Sequence, residues 1–201
     1  VLRLTLNDNK RRNALSTDML ARLSVAFTEA ADDSRVRVVV LAATGPVFCS
    51  GHDLKEMTAA RTMADKGNEA YQQLFAACAS VMELIVRNPK PVIAEVAGTA
   101  TAAGCQLVAS CDLAMASNTV KFATPGVNLG LFCSTPMVAL SRNVSRKHAM
   151  EMLLSGDMVD ASRAEQIGLI NRAFNPDQLT SETMAMALKI ASKSTMTIAI
   201  G

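Results

Sequence analysis

The chain has 201 residues, of which 50% are hydrophobic and 19% are charged, so it can bury a sizeable core and is not expected to be disordered. The formal net charge is +2, and no basic run with interleaved aromatic residues accompanies it, so nucleic-acid binding is not expected. The uncharged stretch Val96 to Cys111 is broken by glycine and polar residues, and we do not expect it to span a membrane.

The cysteines are odd in number and form no Cys-x-x-Cys pair, and the chain has only 2 histidines. A zinc site or any other metal site is therefore not expected. We interpret the cysteines as reduced, small, buried side chains of an intracellular protein. They are Cys49, Cys78, Cys105, Cys111 and Cys133.

The first third of the chain predicts a strand, a helix and a second strand. An alternating pattern over 1–7 indicates the strand, and 7–13 is a polar turn. Ser16 or Thr17 is expected to cap the helix, whose apolar residues then recur at helical spacing. The β-branched run over 36–43 is typical of a strand covered on both faces.

The middle of the chain continues this alternation. Helical spacing predicts a helix over 69–87, and the two prolines that end it open a second buried strand over 91–98. Residues 102–111 have helical composition, and short strands are expected over 112–117 and 120–124.

From Leu131 onward the pattern is mostly helical, with one further strand predicted at 169–174. Strands that alternate with helices predict an α/β fold, with βαβ units and a sheet covered by helices. We expect one domain over 1–201. The chain ends in apolar MTIAIG, where a helix would have nothing to bury against, so we expect the natural sequence to continue beyond Gly201.

Two loops are expected to meet in one crevice, because ligands bind where parallel strands end. FCSGHDLK (48–55) follows the first buried strand, and GTATAAGCQL (98–107) follows the second. Gly51 allows a sharp turn that exposes the His52 N–H, and the small residues 102–104 open a helix whose first amides have no partner. Two such amides would form an oxyanion hole. The alternative is that small residues simply permit tight packing of helix on strand.

Four segments together resemble the enoyl-CoA hydratase/isomerase (crotonase) family in order and spacing. They are NALS (13–16), FCSGHDLKE (48–56), GTATAAGCQLVASCDLAMAS (98–117) and FATPGVNLG (122–130). The resemblance covers nearly the whole chain. It implies a crotonase-like spiral of ββα units with a helical C-terminal region, assembled as trimers or as dimers of trimers (hexamers).

The resemblance also implies a ligand and a set of site residues. The ligand is an acyl-CoA, with coenzyme A as part of the substrate and no separate cofactor. Its thioester carbonyl would accept hydrogen bonds from the backbone N–H groups of His52 and Ala103. The residues implied to bind the substrate and its CoA are His52, Asp53, Leu54, Lys55, Ala103 and Gly104. C-terminal helices beyond this chain complete the pocket in the family.

The chain departs from the family at both catalytic carboxylates, and in this it resembles divergent enoyl-CoA hydratase domain-containing members that lack both. One glutamate position is Gln106 and the other is Gly126. An amide does not take up a proton at neutral pH, and glycine has no side chain. General acid–base catalysis contributes about 10²–10⁴ in rate, so efficient water addition is not expected. Binding and polarising an acyl-CoA remain expected.

Other side chains are candidates to substitute for these carboxylates. Ser134 lies where some family isomerases carry a carboxylate, and with Gln106 it is a weak catalytic candidate. The His52 side chain titrates near neutrality, although in the motif the backbone of that residue does the work. Glu95 is either a buried carboxylate with a raised pKa or, as we prefer, the partner of a basic residue at a subunit contact.

Three further charged or titratable residues have ordinary interpretations. Lys55 either is a solvated loop charge or, as we prefer, meets the CoA phosphates. His148, in a basic stretch, is expected on a helix surface. Asp112 is expected to cap or salt-bridge a turn rather than act on substrate.

Three hypotheses of function follow. The first is an acyl-CoA enzyme of fatty-acid metabolism, of hydratase/isomerase (lyase or isomerase) type, whose reaction is slow hydration or something other than hydration. The second is a module that binds acyl-CoA without turnover, and the third is a partner subunit of a larger fatty-acid assembly. We expect a cytoplasmic protein if the source is bacterial, and a mitochondrial-matrix protein if it is eukaryotic.

Overall fold

The computed structural model describes residues 1–200, so the prediction concerning the chain beyond Gly201 lies outside the described residues. The strands are β1 Leu2–Leu6, β2 Val39–Ala43, β3 Val47–Cys49, β4 Val92–Val96, β5 Thr99–Thr101, β6 Leu113–Ser117, β7 Lys121–Ala123, β8 Val159–Asp160 and β9 Arg172–Phe174. The helices are α1 Thr17–Asp32, α2 Leu54–Ala60, α3 Asn68–Val86, α4 Ala103–Ser110, α5 Ser134–Asn143, α6 Arg146–Ser155, α7 Ala161–Gln166, α8 Pro176–Ala191 and α9 Thr195–Ile200. Short 3-10 turns occupy Asn9–Arg11 and Pro125–Leu129.

The main sheet has 5 strands in the order β1-β2-β4-β6-β9, and all of its neighbours are parallel. Its central strand β4 is buried at every position, as the β-branched sequence predicts. Val39 and Leu41 of β2 face the main core, which α1 and α3 also line, whereas Val38 and Val40 contribute to a second apolar cluster with α8.

A second sheet of 4 strands has the order β3-β5-β7-β8, with β8 antiparallel to β7. Three times in succession the chain runs through a strand of the main sheet and then a strand of the second sheet before it reaches a helix. The chain thus has the expected α/β architecture of ββα turns, and its C-terminal region is helical.

The predicted elements are present, with boundaries shifted by a few residues. Ser16 caps α1, since its hydroxyl accepts a hydrogen bond from the Met19 N–H at 3.2 Å. The short strands β3 and β5 lie inside segments that the sequence predicts to be loops, and α2 and β8 were not predicted at all. Asp112 accepts a hydrogen bond from the Val92 N–H at 2.8 Å, in agreement with a structural role in a turn.

Glu95 pairs with a basic residue, as preferred from the sequence, but the partner is in the same chain. Its Oε1 accepts hydrogen bonds from Arg3 Nη2 at 2.6 Å and from Thr180 Oγ1 at 2.9 Å. These contacts of Glu95 tie the outer strand β1 and helix α8 to the centre of the main sheet.

His148 lies half-buried on α6, and its Nδ1 is 3.1 Å from Arg163 Nη2.

All five cysteines are free and buried, as predicted. Burial raises the pKa of the Cys49 and Cys105 thiols to about 12. Within residues 1–200, no helix is both long enough and apolar enough to cross a membrane.

Candidate functional site

The two loops singled out in the sequence lie side by side. Strands β3 and β5, which lead into them, are parallel neighbours with Cys49 opposite Ala100. Thr101 Oγ1 donates a hydrogen bond to the Ser50 carbonyl at 3.1 Å and so links the loops directly. The predicted meeting of the two loops is therefore present in the fold.

The segment NALS braces the first loop from the other side. Asn13 is fully buried, and its Nδ2 donates to the carbonyl oxygens of Thr44 at 3.0 Å and Val47 at 2.8 Å. The Leu15 N–H donates to the Gly51 carbonyl at 2.8 Å. These bonds fix both ends of the turn that presents His52.

Gly104 permits the closest approach between the loops. A Cβ atom there would lie 2.1 Å from the Cys49 carbonyl oxygen, which as a backbone atom has little freedom to move. Packing of helix α4 on strand β3 thus requires a glycine here, in agreement with the interpretation that small residues permit tight packing.

We expect Gly104→Ala to lower the free energy of unfolding by about 3 kcal/mol or more, because the added methyl group overpacks a rigid contact. Urea denaturation measures this change. The matched control is Gly130→Ala, where φ is +74° and no atom lies within 4 Å of the added Cβ. That variant should lose only about 1 kcal/mol. Equal losses for both variants would contradict the proposed contact.

The turn before α4 holds a conformation that is rare for a residue with a side chain. Ala102, the cap of α4, has φ 52° and ψ −123°, and the neighbouring Gly51 has φ 91°. Such a conformation costs an alanine about 1–3 kcal/mol, which the surrounding contacts must offset. The Ala102 N–H is held by the Ala123 carbonyl at 2.9 Å. The strain orients the first amides of α4.

Two backbone amides at this junction have no acceptor within residues 1–200. The N–H of His52 and the N–H of Ala103 make no backbone hydrogen bond, and no side chain accepts from either. Ala103 is the first residue of α4, so its amide has no intrahelical partner and lies at the positive end of the helix. The atom N of Ala103 would lie 3.3 Å from a Cβ built on Gly51, so the Ala103 amide lies beside the residue that precedes His52.

These residues line an apolar cleft of about 420 Å³ between the two loops, the 3-10 turn and the start of α5. None of its lining residues is Asp, Glu, Lys or Arg, and its titratable groups are the imidazole of His52 and the thiol of Cys133. The remaining lining residues are Ser50, Leu54, Met57, Phe75, Thr101, Ala102, Ala103, Pro125, Gly126, Leu129, Leu131, Phe132, Ser134, Thr135 and Pro136.

The His52 ring is held edge-to-face against Phe75, with ring centroids 5.2 Å apart and an interplanar angle of 83°. Its Nε2 is buried and makes no hydrogen bond with the described residues. Burial lowers the pKa of the imidazole below its ordinary value of 6.5. The ring is therefore neutral at pH 7.

Gly126 and Cys133 are in contact on the opposite wall of the cleft. Burial raises the pKa of the Cys133 thiol. A Cβ on Gly126 would lie 2.8 Å from Cys133 Sγ and 3.0 Å from the Leu131 carbonyl oxygen. Cys133 and Leu131 thus occupy the space that a side chain at position 126, the position of a family glutamate, would need.

Gln106 lines a different, adjacent cavity of about 630 Å³ between α3, α4 and α5. Its side chain is 6% exposed, and its Oε1 is buried without a partner among residues 1–200. Thr135 lines both this cavity and the apolar cleft. Gln106 therefore lines the adjacent cavity and is not one of the residues that line the apolar cleft.

Of the other residues that the sequence suggests for the site, some line the cleft and some lie outside it. Leu54 and Ser134 line the cleft, and the Ser134 hydroxyl donates to the Phe132 carbonyl at 3.4 Å. Asp53 caps α2 by accepting from the Lys55 N–H at 2.9 Å. Asp53, Lys55 and Gly104 are not among the lining residues, and Lys55 is exposed. A contact of Lys55 with CoA phosphates stays a prediction.

Sequence reasoning missed most of the apolar wall. Met57 and Phe75 come from the faces of α2 and α3 that turn toward the cleft. Leu129, Leu131 and Phe132 are 65%, 55% and 41% exposed, so large apolar side chains lie open around the cleft. The available signal was this run of apolar residues in a segment with no helical or strand periodicity.

Comparison with known proteins identifies relatives across the whole described chain. The family model described as enoyl-CoA hydratase/isomerase matches residues 1–200. The mouse protein named enoyl-CoA hydratase domain-containing protein 3, mitochondrial, is 49% identical over 198 residues. Those residues cover 98% of this chain and 64% of the mouse protein, so the chain spans less than two thirds of that relative's length.

Two solved structures are similar in fold and sequence. The crystal structure of human enoyl-CoA hydratase domain-containing protein 3 matches with a TM-score of 0.92 and 47% identity, over 99% of this chain and 77% of that one. A crystal structure described as enoyl-CoA hydratase from Mycobacterium smegmatis matches with a TM-score of 0.91 and 53% identity, over 99% and 76% of the two chains.

Proposed function

The chain belongs to the enoyl-CoA hydratase/isomerase family, and from that premise we propose that it binds an acyl-CoA thioester in the apolar cleft. The thioester carbonyl oxygen accepts hydrogen bonds from the N–H groups of His52 and Ala103. Both donors gain strength as the carbonyl acquires enolate character, because negative charge then accumulates on that oxygen.

The observation that carries this proposal is the meeting of two unpartnered amides above an apolar cleft. An amide left without an acceptor is unfavourable unless a ligand or water completes it. The cleft wall supplies no carboxylate that would accept hydrogen bonds from those two amides in place of a ligand. An acyl thioester would supply both an acceptor for the two amides, through its carbonyl oxygen, and an apolar chain for the cleft.

Water addition by this site is proposed to be slow. The family positions of the two carboxylates hold Gln106 and Gly126, and neither side chain can accept a proton at neutral pH. The reaction is accordingly of hydratase/isomerase type without efficient hydration. The second candidate, an acyl-CoA-binding module or partner subunit without turnover, is favoured by the same two residues.

Incubation of the purified protein with a panel of acyl-CoA thioesters tests this proposal. Mass spectrometry reads turnover, and isothermal titration reads binding of the same compounds. We expect binding of several thioesters with hydration of crotonyl-CoA far below ordinary hydratase rates. Turnover of one thioester to an isomeric product supports the enzyme, and binding without any product supports the module. A protein that binds none of the thioesters would refute both.

We propose that the full protein assembles as a homotrimer or a hexamer, as its family membership suggests. Analytical ultracentrifugation measures this directly. The expected result is a trimer or a hexamer with little monomer at micromolar concentration. A sample that sediments only as monomer would contradict the proposal.

The mouse relative is named mitochondrial. We propose the mitochondrial matrix as the location if the source is eukaryotic, and the cytoplasm if it is bacterial. Fractionation of cells that express the natural full-length protein with a C-terminal tag distinguishes these compartments.

A further inference from the structure

We propose that the His52 imidazole is the acid–base group of this site, which exchanges a proton between itself and C2 of the bound acyl thioester. This inference rests on the proposed acyl-CoA binding function. It assigns chemistry to the side chain of a residue whose backbone N–H is one of the proposed oxyanion donors.

The first argument is the composition of the cleft wall. Its lining residues include two titratable groups, the His52 imidazole and the Cys133 thiol. Burial raises the pKa of Cys133, so that thiol is protonated near neutral pH and is a poor base. Gln106 lies in the adjacent cavity and cannot accept a proton. The imidazole is the group left to carry a proton at this site.

The second argument is position. The imidazole belongs to the same residue as one amide donor, so it lies within one side-chain length of the carbonyl that this amide would bind. C2 is the carbon next to that carbonyl. Phe75 holds the ring edge-to-face, which restricts its orientation in the cleft. Because a general base must lie close to the proton that it takes, a ring attached to the residue that donates to the carbonyl is a suitable candidate.

The third argument concerns the two ring nitrogens. Nε2 is buried and has no partner among residues 1–200. Nδ1 makes no hydrogen bond with the described residues either, but unlike Nε2 it is not fully buried. Of the two nitrogens, the less buried Nδ1 is therefore the one assigned to the substrate.

Charged groups on the neighbouring elements are engaged elsewhere. Asp53 caps α2, and Glu56 accepts from the Thr17 N–H at 2.9 Å and lies 3.5 Å from Arg11. On α3, Glu69 accepts from Gln73 Nε2 at 3.1 Å, and on α2 the side chain of Lys55 is exposed. Desolvation alone lowers the pKa of His52, so the neutral base is present at pH 7.

The proton transfer balances without any further reactant. The C2–H bond breaks and its electron pair forms the C1=C2 bond, while the carbonyl electron pair moves onto the oxygen. That oxygen is held by the N–H groups of His52 and Ala103. The proton goes to Nδ1, and the resulting imidazolium lies beside the enolate charge. Reversal returns a proton to C2, which in D2O is a deuteron.

Exchange of the C2 protons of butyryl-CoA in D2O, followed by NMR, tests the proposal. The wild-type protein is expected to incorporate deuterium at C2. His52→Gln keeps the backbone N–H but cannot titrate, and it should slow exchange about 10²–10⁴-fold. Binding of butyryl-CoA, measured in parallel by titration, should change no more than about twofold. The chain's other histidine provides the matched control, and His148→Gln should leave the exchange rate unchanged.

The pH profile separates an acid–base role from a structural one. The wild-type rate should be level above neutrality and fall as pH drops through the lowered pKa of His52, because the imidazolium cannot accept a proton. His52→Gln should lack this acidic limb. Exchange at the wild-type rate in His52→Gln would overturn the proposal, as would wild-type protein that binds butyryl-CoA without exchanging C2. A protein that does not bind butyryl-CoA at all would instead refute the proposed function on which this inference rests.

Discussion

Ala103→Pro is expected to weaken binding of an enolate-mimicking acyl-CoA analogue about 10²-fold, while the affinity for CoA itself stays nearly unchanged. One donor of an oxyanion hole contributes about 3–4 kcal/mol when charge develops on the bound oxygen. Proline has no N–H, and as the first residue of α4 this position is one where a helix tolerates proline. Titration calorimetry of the two ligands measures the effect.

The matched control is Ala103→Gly, which loses the methyl group but keeps the amide. It should bind the enolate analogue within a few-fold of wild type, and the unchanged CoA affinity of Ala103→Pro would show that its fold is intact. Equal losses of enolate analogue and CoA in Ala103→Pro would mean that this amide does not serve an oxyanion.

Restoring both family carboxylates is expected to raise hydration of crotonyl-CoA well beyond the product of the two single effects. Gln106→Glu or Gly126→Glu alone should give little, because groups that act as a unit in catalysis are far from additive. The contact at Gly126 adds a condition, since its new Cβ would lie 2.8 Å from Cys133 Sγ. We therefore expect the gain in a background that also carries Cys133→Ala, which removes that sulfur.

The control for carboxylate chemistry is Gly126→Gln in the same Cys133→Ala background, with Gln106 left in place. This variant has glutamine at both positions, so its two side chains match those of the double-glutamate variant in size and shape but cannot accept a proton. It should show no gain in the spectrophotometric hydration assay. A folded, CoA-binding double-glutamate variant with no gain would show that the pocket serves another reaction or none. Wild-type hydration at ordinary hydratase rates would contradict the premise itself.

The meeting of the two loops was predictable because its causes are local. Small residues after a buried strand leave amides exposed, and Gly51 and Gly104 permit the turn and the close contact that the sequence suggests. Strands β3 and β5 were missed since each has only 3 residues and carries no usable periodicity. Their pairing is set by tertiary contact, which local sequence does not report.

Which residues line the cleft also depends on tertiary contacts that the local sequence does not report. Gln106 follows Ala103 by one helical turn, which suggests a shared face, yet α3 and α5 close around it and place it in the adjacent cavity. The contact of Gly126 with Cys133 joins residues on either side of a turn whose shape the sequence does not specify. The sequence predicted that Glu95 pairs with a basic residue, but it placed that residue at a subunit contact. The partner is Arg3 of the same chain, two strands away in the sheet, and only the strand order shows this.

The most direct test of the central claim is the infrared carbonyl stretch of a 13C-labelled acyl-CoA thioester bound to the protein. Polarisation by the amides of His52 and Ala103 weakens the C=O bond, so the stretch should move to lower frequency in wild type. Ala103→Pro should return it most of the way toward the free-solution value at saturating ligand. A stretch that does not shift on binding to wild type would contradict an oxyanion hole at this site.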